Sequence, residues 1–354
     1  GPDKELAIGR IEANRVEFRL VNFGKYERDK DKGKSLRPYG LEWKNLDVTA
    51  SLKGRDLKVK DGYVSGKVEE MSMTERSGYS IKSITGNTQV GHGKVIIRDI
   101  RIVDPWSELD IPEYSMTGRL PDYKKYVDSV VMKGVIRNTR FDLRTLAYFA
   151  PRLKDRNGSY LIREAEVEGP VRDLNVTRID FTETRSGVSG DVANRLTGLP
   201  KAGDMAFDAV FNHLDFDFNG LSDFIRSWAP AAKADFGKIA PGHRFRFTGK
   251  GSGPIGDLSV SGKLSSELGE MTADALVRNI LLKGTPIELS GVIHADELDL
   301  GEFSGQRMLG KCTGGSRLHA VLAQGSPAIH LDSLSLDRLG VLGYDYTGIA
   351  ARGT

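Results

Sequence analysis

Cysteine is almost missing from this sequence. Cys312 is the only one in 354 residues, so no intrachain disulfide can form and a zinc site built on several cysteines is excluded. Cys312 itself reads as a small residue at a strand start. No run approaches the ~18 apolar residues of a membrane-spanning helix, and no basic-then-apolar leader opens the chain. The opening Gly1-Pro2 reads as the scar of a protease cleavage, which makes the chain an expected piece of a longer protein. Neither sign of charge dominates: 51 Lys and Arg stand against 48 Asp and Glu. With no basic stripe and no interleaved aromatics, this balance argues against a dedicated nucleic-acid binder. The six histidines are scattered, without HExxH or another close ligand spacing. No GxSxG or comparable nucleophile context appears. No enzyme, metal or cofactor is expected.

What is present is alternation with a period of two. In "SYLIREAEVEG", Leu161, Arg163, Ala165 and Val167 share one face, and Ile162, Glu164, Glu166 and Glu168 the other. In "IELSGVIHA", Ile287, Leu289, Gly291 and Ile293 alternate with Glu288, Ser290, Val292 and His294. In "RFRFTG", Phe245 and Phe247 alternate with Arg244, Arg246 and Thr248. Successive side chains of a strand point to opposite faces, so these are strands with one apolar side. Gly, Asp, Asn and Pro bound them, the residues that tolerate turn dihedrals. Roughly twenty such strands at ~8–12-residue spacing predict an antiparallel all-β chain. Helical signals are short: Asp142 to Tyr148, with Asp142 as N-cap, and Ser222 to Trp228. Both stop before an Ala-Pro pair, Ala150-Pro151 and Ala229-Pro230, because proline disfavours helix at the residue before it.

These helices expose a longer repeat. "DLRTLAYFAPRL" leads to "VEGPVRDLNVTRIDF", and "LSDFIRSWAPAA" leads to "KGSGPIGDLSVSGKL". A looser third unit runs from "LDLGEFSG" to "AQGSPAIHLDSLSL", keeping Pro327 but not the Gly-Pro pairs of Gly169-Pro170 and Gly253-Pro254. A repeat of roughly 75–85 residues built from hairpins predicts an elongated, repetitive array. The charge run Tyr26 to Ser35 reads as a solvated hairpin tip. "VDPWSELDIPEY", with Pro105 and Pro112, reads as a junction after an N-terminal strand group. A soft boundary near Asn138 separates residues 1–138 from a helix-hairpin array, 139–354. A sheet continuous across it is equally open.

Two motifs tempt. Gly251-Ser252-Gly253-Pro254-Ile255-Gly256 spells GxGxxG, but the chemistry needs a helix after the last glycine, and "DLSVSGKL" alternates as a strand. His213, Asp215 and Asp217 could offer metal ligands from one strand face. Nearby the apolar phase switches from Phe207, Ala209 and Phe211 to Leu214, Phe216 and Phe218, as a β-bulge would make it do, which puts the polar trio on the wet face.

The apolar face itself has two readings. It is the closed core of a sandwich, two sheets about 10 Å apart, or it is the wall of a groove filled by acyl chains. Composition alone favours the core. The repeat favours the wall, since a sandwich closes after a few strands and this array continues. At ~4.8 Å per strand, about twenty strands would make a wall roughly 90–100 Å long. The wall candidates are Val167, Leu174, Val176, Phe207, Phe211, Phe245, Phe247, Leu258, Val260, Val277, Leu289, Ile293, Leu318, Leu322, Leu334 and Leu336. Each is equally placed to be a plain core residue.

Four phrases resemble a known family: "LAIGRIEANRVEFRLVNFGKYERDKDKG", "SGYSIKSITGNTQVGHGKVIIRDIRIVDPWSELDIPEYSM", "TLAYFAP" and "LDSLSLDRLGVLGYDYTGIAA". Over nearly its whole length the chain is similar to the TamB family of the AsmA-like superfamily. The resemblance implies a Gram-negative envelope protein, anchored in the inner membrane by an N-terminal helix and reaching through the periplasm toward the outer membrane. It implies a β-sheet folded over into a taco-like groove with a hydrophobic interior. It also implies phospholipid movement between the membranes, and outer-membrane protein assembly with an Omp85-type barrel that meets the family's C-terminal domain. This chain carries neither that anchor nor that domain in recognisable form, so it resembles a middle segment. The expected function is a non-enzymatic lipid conduit. The alternative is a scaffold that offers sheet edges to nascent outer-membrane strands by β-augmentation. A polysaccharide-processing β-solenoid would need a carboxylate cluster in an aromatic cleft, and the even spread of acids argues against it.

Overall fold

The computed structural model describes residues 5–21, 40, 45–150, 153–199, 201, 204–228, 230, 235–254, 256–279, 285–322 and 328–352. The chain is all-β, antiparallel and repetitive, with eighteen strands among the described residues and a few short helices. It divides into two compact units, Gly1–Val171 and Arg172–Thr354.

The first unit is an open meander of eight strands: β1 (Leu6–Val21), β2 (Asn45–Lys60), β3 (Tyr63–Glu75), β4 (Ser80–Gly91), β5 (Lys94–Val103), β6 (Glu108–Thr117), β7 (Val131–Asp142) and β8 (Ser159–Gly169). Each pairs antiparallel with its successor. Asp61-Gly62 (φ 50° and 74°) and His92-Gly93 (φ 49° and 72°) close the β2–β3 and β4–β5 hairpins. Two-residue turns with positive φ at both positions suit the right-handed twist of the strands they join. The β6–β7 connection is longer, a 3-10 turn (Leu120–Lys125) followed by α1 (Tyr126–Ser129). Helix α2 (Leu143–Phe149) follows β7, and Asp142 caps it by accepting from Arg144 N. Both were legible or missed for local reasons: the cap at Asp142 is in the sequence pattern, whereas the one-turn α1 carries no periodicity.

The second unit continues the same plan with β9 (Asp173–Glu183), β10 (Ser189–Thr197), β11 (Ala206–Phe216), α3 (Phe218–Trp228), β12 (Phe245–Pro254), β13 (Asp257–Ser266), β14 (Gly269–Arg278), β15 (Ile287–Asp299), α4 (Leu300–Ser304), β16 (Leu309–Leu322), β17 (Ala328–Val341) and β18 (Tyr344–Arg352). Again each strand pairs with its successor. A helix thus follows β7, β11 and β15, every fourth strand, and each starts on an aspartate. Asp217 accepts from Gly220 N at 2.8 Å and Asp299 from Glu302 N at 3.0 Å. Helix α3 begins at Phe218 rather than at the expected Ser222, because Asp217 caps it one turn earlier.

Several local readings come out differently. Asn138 lies inside β7, with a positive φ of 43°. "VDPWSELDIPEY" is the β5–β6 hairpin: Pro105 sits in its turn, and Pro112 lies in β6 where the pairing register shifts between Asp110 and Glu113. Strict alternation put Leu161 on Val167's face. Instead Tyr160 and Ile162 are buried, Leu161 is 48% exposed, and Ala165 is buried. The buried phase turns over between Ile162 and Ala165, opposite Asn138, although the pairing of β7 with β8 keeps its register there. The GxGxxG segment is the β12–β13 hairpin, with Gly253 at φ 125° and no helix after it. The charge run Tyr26 to Ser35 lies outside the described residues.

The helices after β7, β11 and β15 lie at the ends of odd-numbered strands, and within each unit the buried core sits at that end. In the first unit Tyr79, Ile81 and Tyr148 pack with Met73, Ile84, Ile102 and Trp106. In the second, Val188, Phe216, Phe245, Leu268, Ala295 and Leu298 pack beneath Leu221 and Phe224 of α3 and Leu300 and Phe303 of α4. The two-residue hairpins of the first unit gather at the opposite end.

Candidate functional site

Cross-strand partners share a face of the sheet, so the pairing register says which side chains stand together. In the second unit one row runs Leu174, Leu196, Phe207, Gly253 on β9–β12, and Leu258, Val277, Leu289, Ala320, Ile329 on β13–β17. The next runs Val176, Asn194, Ala209, Gly251, Val260, Ala275, Gly291, Leu318, Leu331. A third runs Val192, Phe211, Gly249, Gly262, Ala273, Ile293, Ser316, Leu334, Ala351. A fourth runs Leu214, Phe247, Leu264, Met271, Ala295, Gly314, Leu336, Ile349. No Asp, Glu, Lys or Arg stands in any of these rows.

Bulges keep the rows aligned. Between Phe211 and Leu214 the register shifts, as the phase switch in the sequence requires. The shift keeps Phe211 and Leu214 on one face and turns His213 and Asp215 to the other. Asp215 there accepts two bonds from Arg246, at 2.7 and 2.8 Å, and these hold its carboxyl below the usual range against a smaller opposing effect of burial. Asp217 caps α3. The two aspartates are therefore taken up separately, Asp215 by an ion pair and Asp217 by a helix cap.

The opposite face is polar and paired. Arg195 grips Asp173 with two bonds of 2.8 and 2.7 Å, Arg178 meets Asp191 at 2.9 Å, and Lys263 meets Glu270 at 2.6 Å. Arg338 bridges Asp345 at 2.9 Å and Glu297 at 3.3 Å. Exposed pairs of this kind contribute about 0–1 kcal/mol each. They mark a solvated surface rather than a stabilising core.

The expected wall residues of the second unit all fall on the charge-free face, but they differ in depth. Leu174, Val176, Phe207, Phe211, Phe247, Leu258, Val260, Val277, Leu289, Ile293, Leu318 and Leu334 are half-buried. Phe245 and Leu336, at 3% and 8% exposure, are closed core instead. The Phe245 ring lies tilted at 4.9 Å from Phe218 and edge to face at 6.1 Å from Phe303, under the helices, so it cannot line an open wall. Leu322 pairs with Ile287 through its backbone, and its side chain lies outside the described residues. Val167 belongs to the first unit, where it stands opposite Gly134, itself opposite Tyr114. Sequence reading missed Leu196, Val192, Leu264, Met271, Ile329 and Leu331. Their alternation was present, but only the register shows that they complete the same rows.

Glycines thin this face and aromatic rings cover them. A Cβ on Gly262 would come within 2.6 Å of the Phe247 ring, and one on Gly251 within 3.4 Å of Phe211. Phe211 and Phe247 in turn meet edge to face at 5.5 Å. Rings over strand glycines restore the packing that the glycines give up.

At the helix end the first unit is closed by polar groups. Asp104 accepts from Tyr79 Oη at 2.9 Å, Thr145 Oγ1 at 2.6 Å, and the backbone N–H of Trp106 and Ser107. Tyr148 Oη donates to Glu75 at 2.8 Å, and the Tyr148 ring stacks on Tyr79 at 4.0 Å. Burial alone would push the carboxyls of Glu75 and Asp142 up. Hydrogen bonds from Ser77 and Tyr148 to Glu75, and from Arg144 and Ser159 to Asp142, outweigh it and hold both below their ordinary range. Burial and the neighbouring carboxylates push the Tyr79 and Tyr148 hydroxyls up. The network orders the helix end of the first unit.

No family model matches the chain, and neither a curated protein nor a solved structure matches it.

Proposed function

We propose that this chain is a non-enzymatic segment of a periplasmic bridge, anchored elsewhere in the inner membrane, that carries phospholipid between the inner and outer membranes of a Gram-negative cell. The observation that carries the reading is the charge-free face of the second unit. It runs across ten strands, most of its large side chains away from the helix end are half-buried, and its reverse side holds the ion pairs. An acyl chain gains ~0.8 kcal/mol per methylene buried, so such a face lowers the cost of lifting lipid out of a bilayer. The rows repeat interchangeable Leu, Val, Ile and Phe, so a chain sliding along them meets no single deep well.

Native mass spectrometry with lipid extraction, on protein purified from a Gram-negative host, tests this. Phospholipid should accompany the wild type and the outward-facing Ser290→Glu variant, and be largely lost from Leu289→Glu. A folded wild type that is free of lipid and refuses added fluorescent lipid would refute the conduit.

A second reading, a scaffold for outer-membrane strands working with an Omp85-type partner, draws on β1. This sixteen-residue strand pairs only with β2 among the described residues and leaves Leu6, Val16, Phe18 and Leu20 between 45% and 59% exposed. Long edge strands with exposed apolar side chains are templates for further pairing. On that reading Leu289→Glu leaves function intact, while proline substitutions in β1 abolish it.

A further inference from the structure

Resting on the conduit reading, we infer that the hairpin end of the first unit is a headgroup-selecting lip that favours anionic phospholipids over zwitterionic ones. The lip is built from three consecutive connections that touch. His92 of the β4–β5 turn bonds the Asp61 carbonyl of the β2–β3 turn at 2.8 Å, and its ring packs on Tyr63 at 4.7 Å. Gly118, which opens the β6–β7 connection, donates to the Gly93 carbonyl at 2.9 Å.

Basic side chains fringe this line. Lys60, Lys94, Arg119, Lys124 and Lys125 are all exposed. The acids nearby are partly spent on pairs: Glu5 lies 3.8 Å from Lys60, and Asp122 is tied to the backbone and guanidinium of Arg119. Lys94 and Lys124 make no ion pair among the described residues. With Asp61 and Asp128, also exposed, the nearby acids number four against these five bases, which leaves a small positive surplus where the strands end.

Directly inside the lip lies an apolar row: Val64, Val90, Val95, Met116 and Met132 are successive partners across β3–β7. Val64 and Val90 are 44% and 46% exposed. The β6–β7 connection covers the other side of the row, with Tyr126 Oη donating to Met132 Sδ at 2.9 Å. The same chain segment therefore supplies an apolar cover over Met116 and Met132 and the exposed Lys124 and Lys125 beside it. An acyl chain laid on Val64 and Val90 brings its phosphate to the strand ends, where Lys60 and Lys94 leave the sheet on its reverse face and reach it round the rim. That pairing of apolar floor with basic rim fits a whole lipid better than a free phosphate or a peptide.

The test is fluorescent phosphatidylglycerol and phosphatidylcholine with identical chains, titrated into the full chain at low salt. A few lysines acting on an anionic headgroup should favour phosphatidylglycerol by about fivefold or more. Changing Lys94, Lys124 and Lys125 to Gln together, or raising salt to about 0.5 M, should remove most of that preference and leave phosphatidylcholine binding unchanged. Equal binding of the two lipids by wild type, or a preference that survives both treatments, would overturn the lip. Binding of neither lipid would overturn the conduit beneath it, an outcome distinct from binding without preference.

Discussion

The two units solve one problem with different chemistry. Each must close the end of an open sheet where helices return to it. The first unit does so with hydrogen bonds: Asp104, Glu75 and Asp142 gather backbone and hydroxyl donors around Tyr79 and Tyr148. The second does so largely with rings and aliphatics, Phe216, Phe218, Phe245 and Phe303 with Leu268 and Leu298. The shared element is a turn carrying a buried glutamate. Glu75 accepts from Ser77 N at 2.7 Å, and Glu183 accepts from Ser186 N at 2.6 Å. In each the glutamate N–H reaches back across the turn, to the Tyr79 and Val188 carbonyls. The comparison teaches that the repeat preserves backbone reversals and lets the packing chemistry drift.

The largest expected effect is Phe245→Ala. Deleting a fully buried ring costs about 3–5 kcal/mol, so hydrogen exchange should rise across β11, β12 and α3 and stay unchanged in β3 to β5. Next comes Asp104→Ala, which strands the Tyr79 and Thr145 hydroxyls and two N–H groups at about 2–4 kcal/mol. The same exchange measurement should show the reverse pattern, with β3 to β6 and α2 opening.

Acid separates the units by the same logic. The folded state holds the Glu75 and Asp142 carboxyls below their ordinary range, so it binds fewer protons than the unfolded state in mild acid. The stability they contribute is complete above about pH 4–4.5 and is lost as pH falls through the lower folded values. The second unit's lowered carboxyls, such as Asp173 and Glu297, are on the exposed face, where screening weakens them. The first unit should therefore lose exchange protection at higher pH than the second.

Two smaller effects sharpen the contrast between wall and core. Leu289→Ala removes as many carbons as many core changes, yet a half-buried site should cost no more than about 2 kcal/mol. Arg195→Gln breaks an ion pair whose partners are 61% and 44% exposed, and its shift in midpoint should stay within about 0.5 kcal/mol.

Much of this was legible beforehand, and the reasons are specific. Alternation in "IELSGVIHA" and the phase slip around His213 come straight through to β15 and to the bulge in β11, since one-sided burial dictates both. Asp142 was readable as a cap because capping is local. The exchange of faces at Leu161 was not, since strict alternation carries no sign of a change of phase inside a strand. Nor was the closure of Phe245, which alternates like any wall residue until α3 and α4 fold over it. The paired turns in "TERSGYS" and "TETRSGVS" were present as a repeat, but that the glutamates are buried is a fact of packing.

The most direct test of the account is photo-crosslinking with a phospholipid that carries a diazirine in its acyl chain, followed by peptide mapping. The account predicts adducts at alternate positions, on Leu258, Val260, Val277, Leu289 and Leu318. Ser259, Leu276 and Ser290, their outward-facing neighbours, should stay unlabelled. Labelling spread evenly over both faces, or none at all on a folded protein, would contradict it.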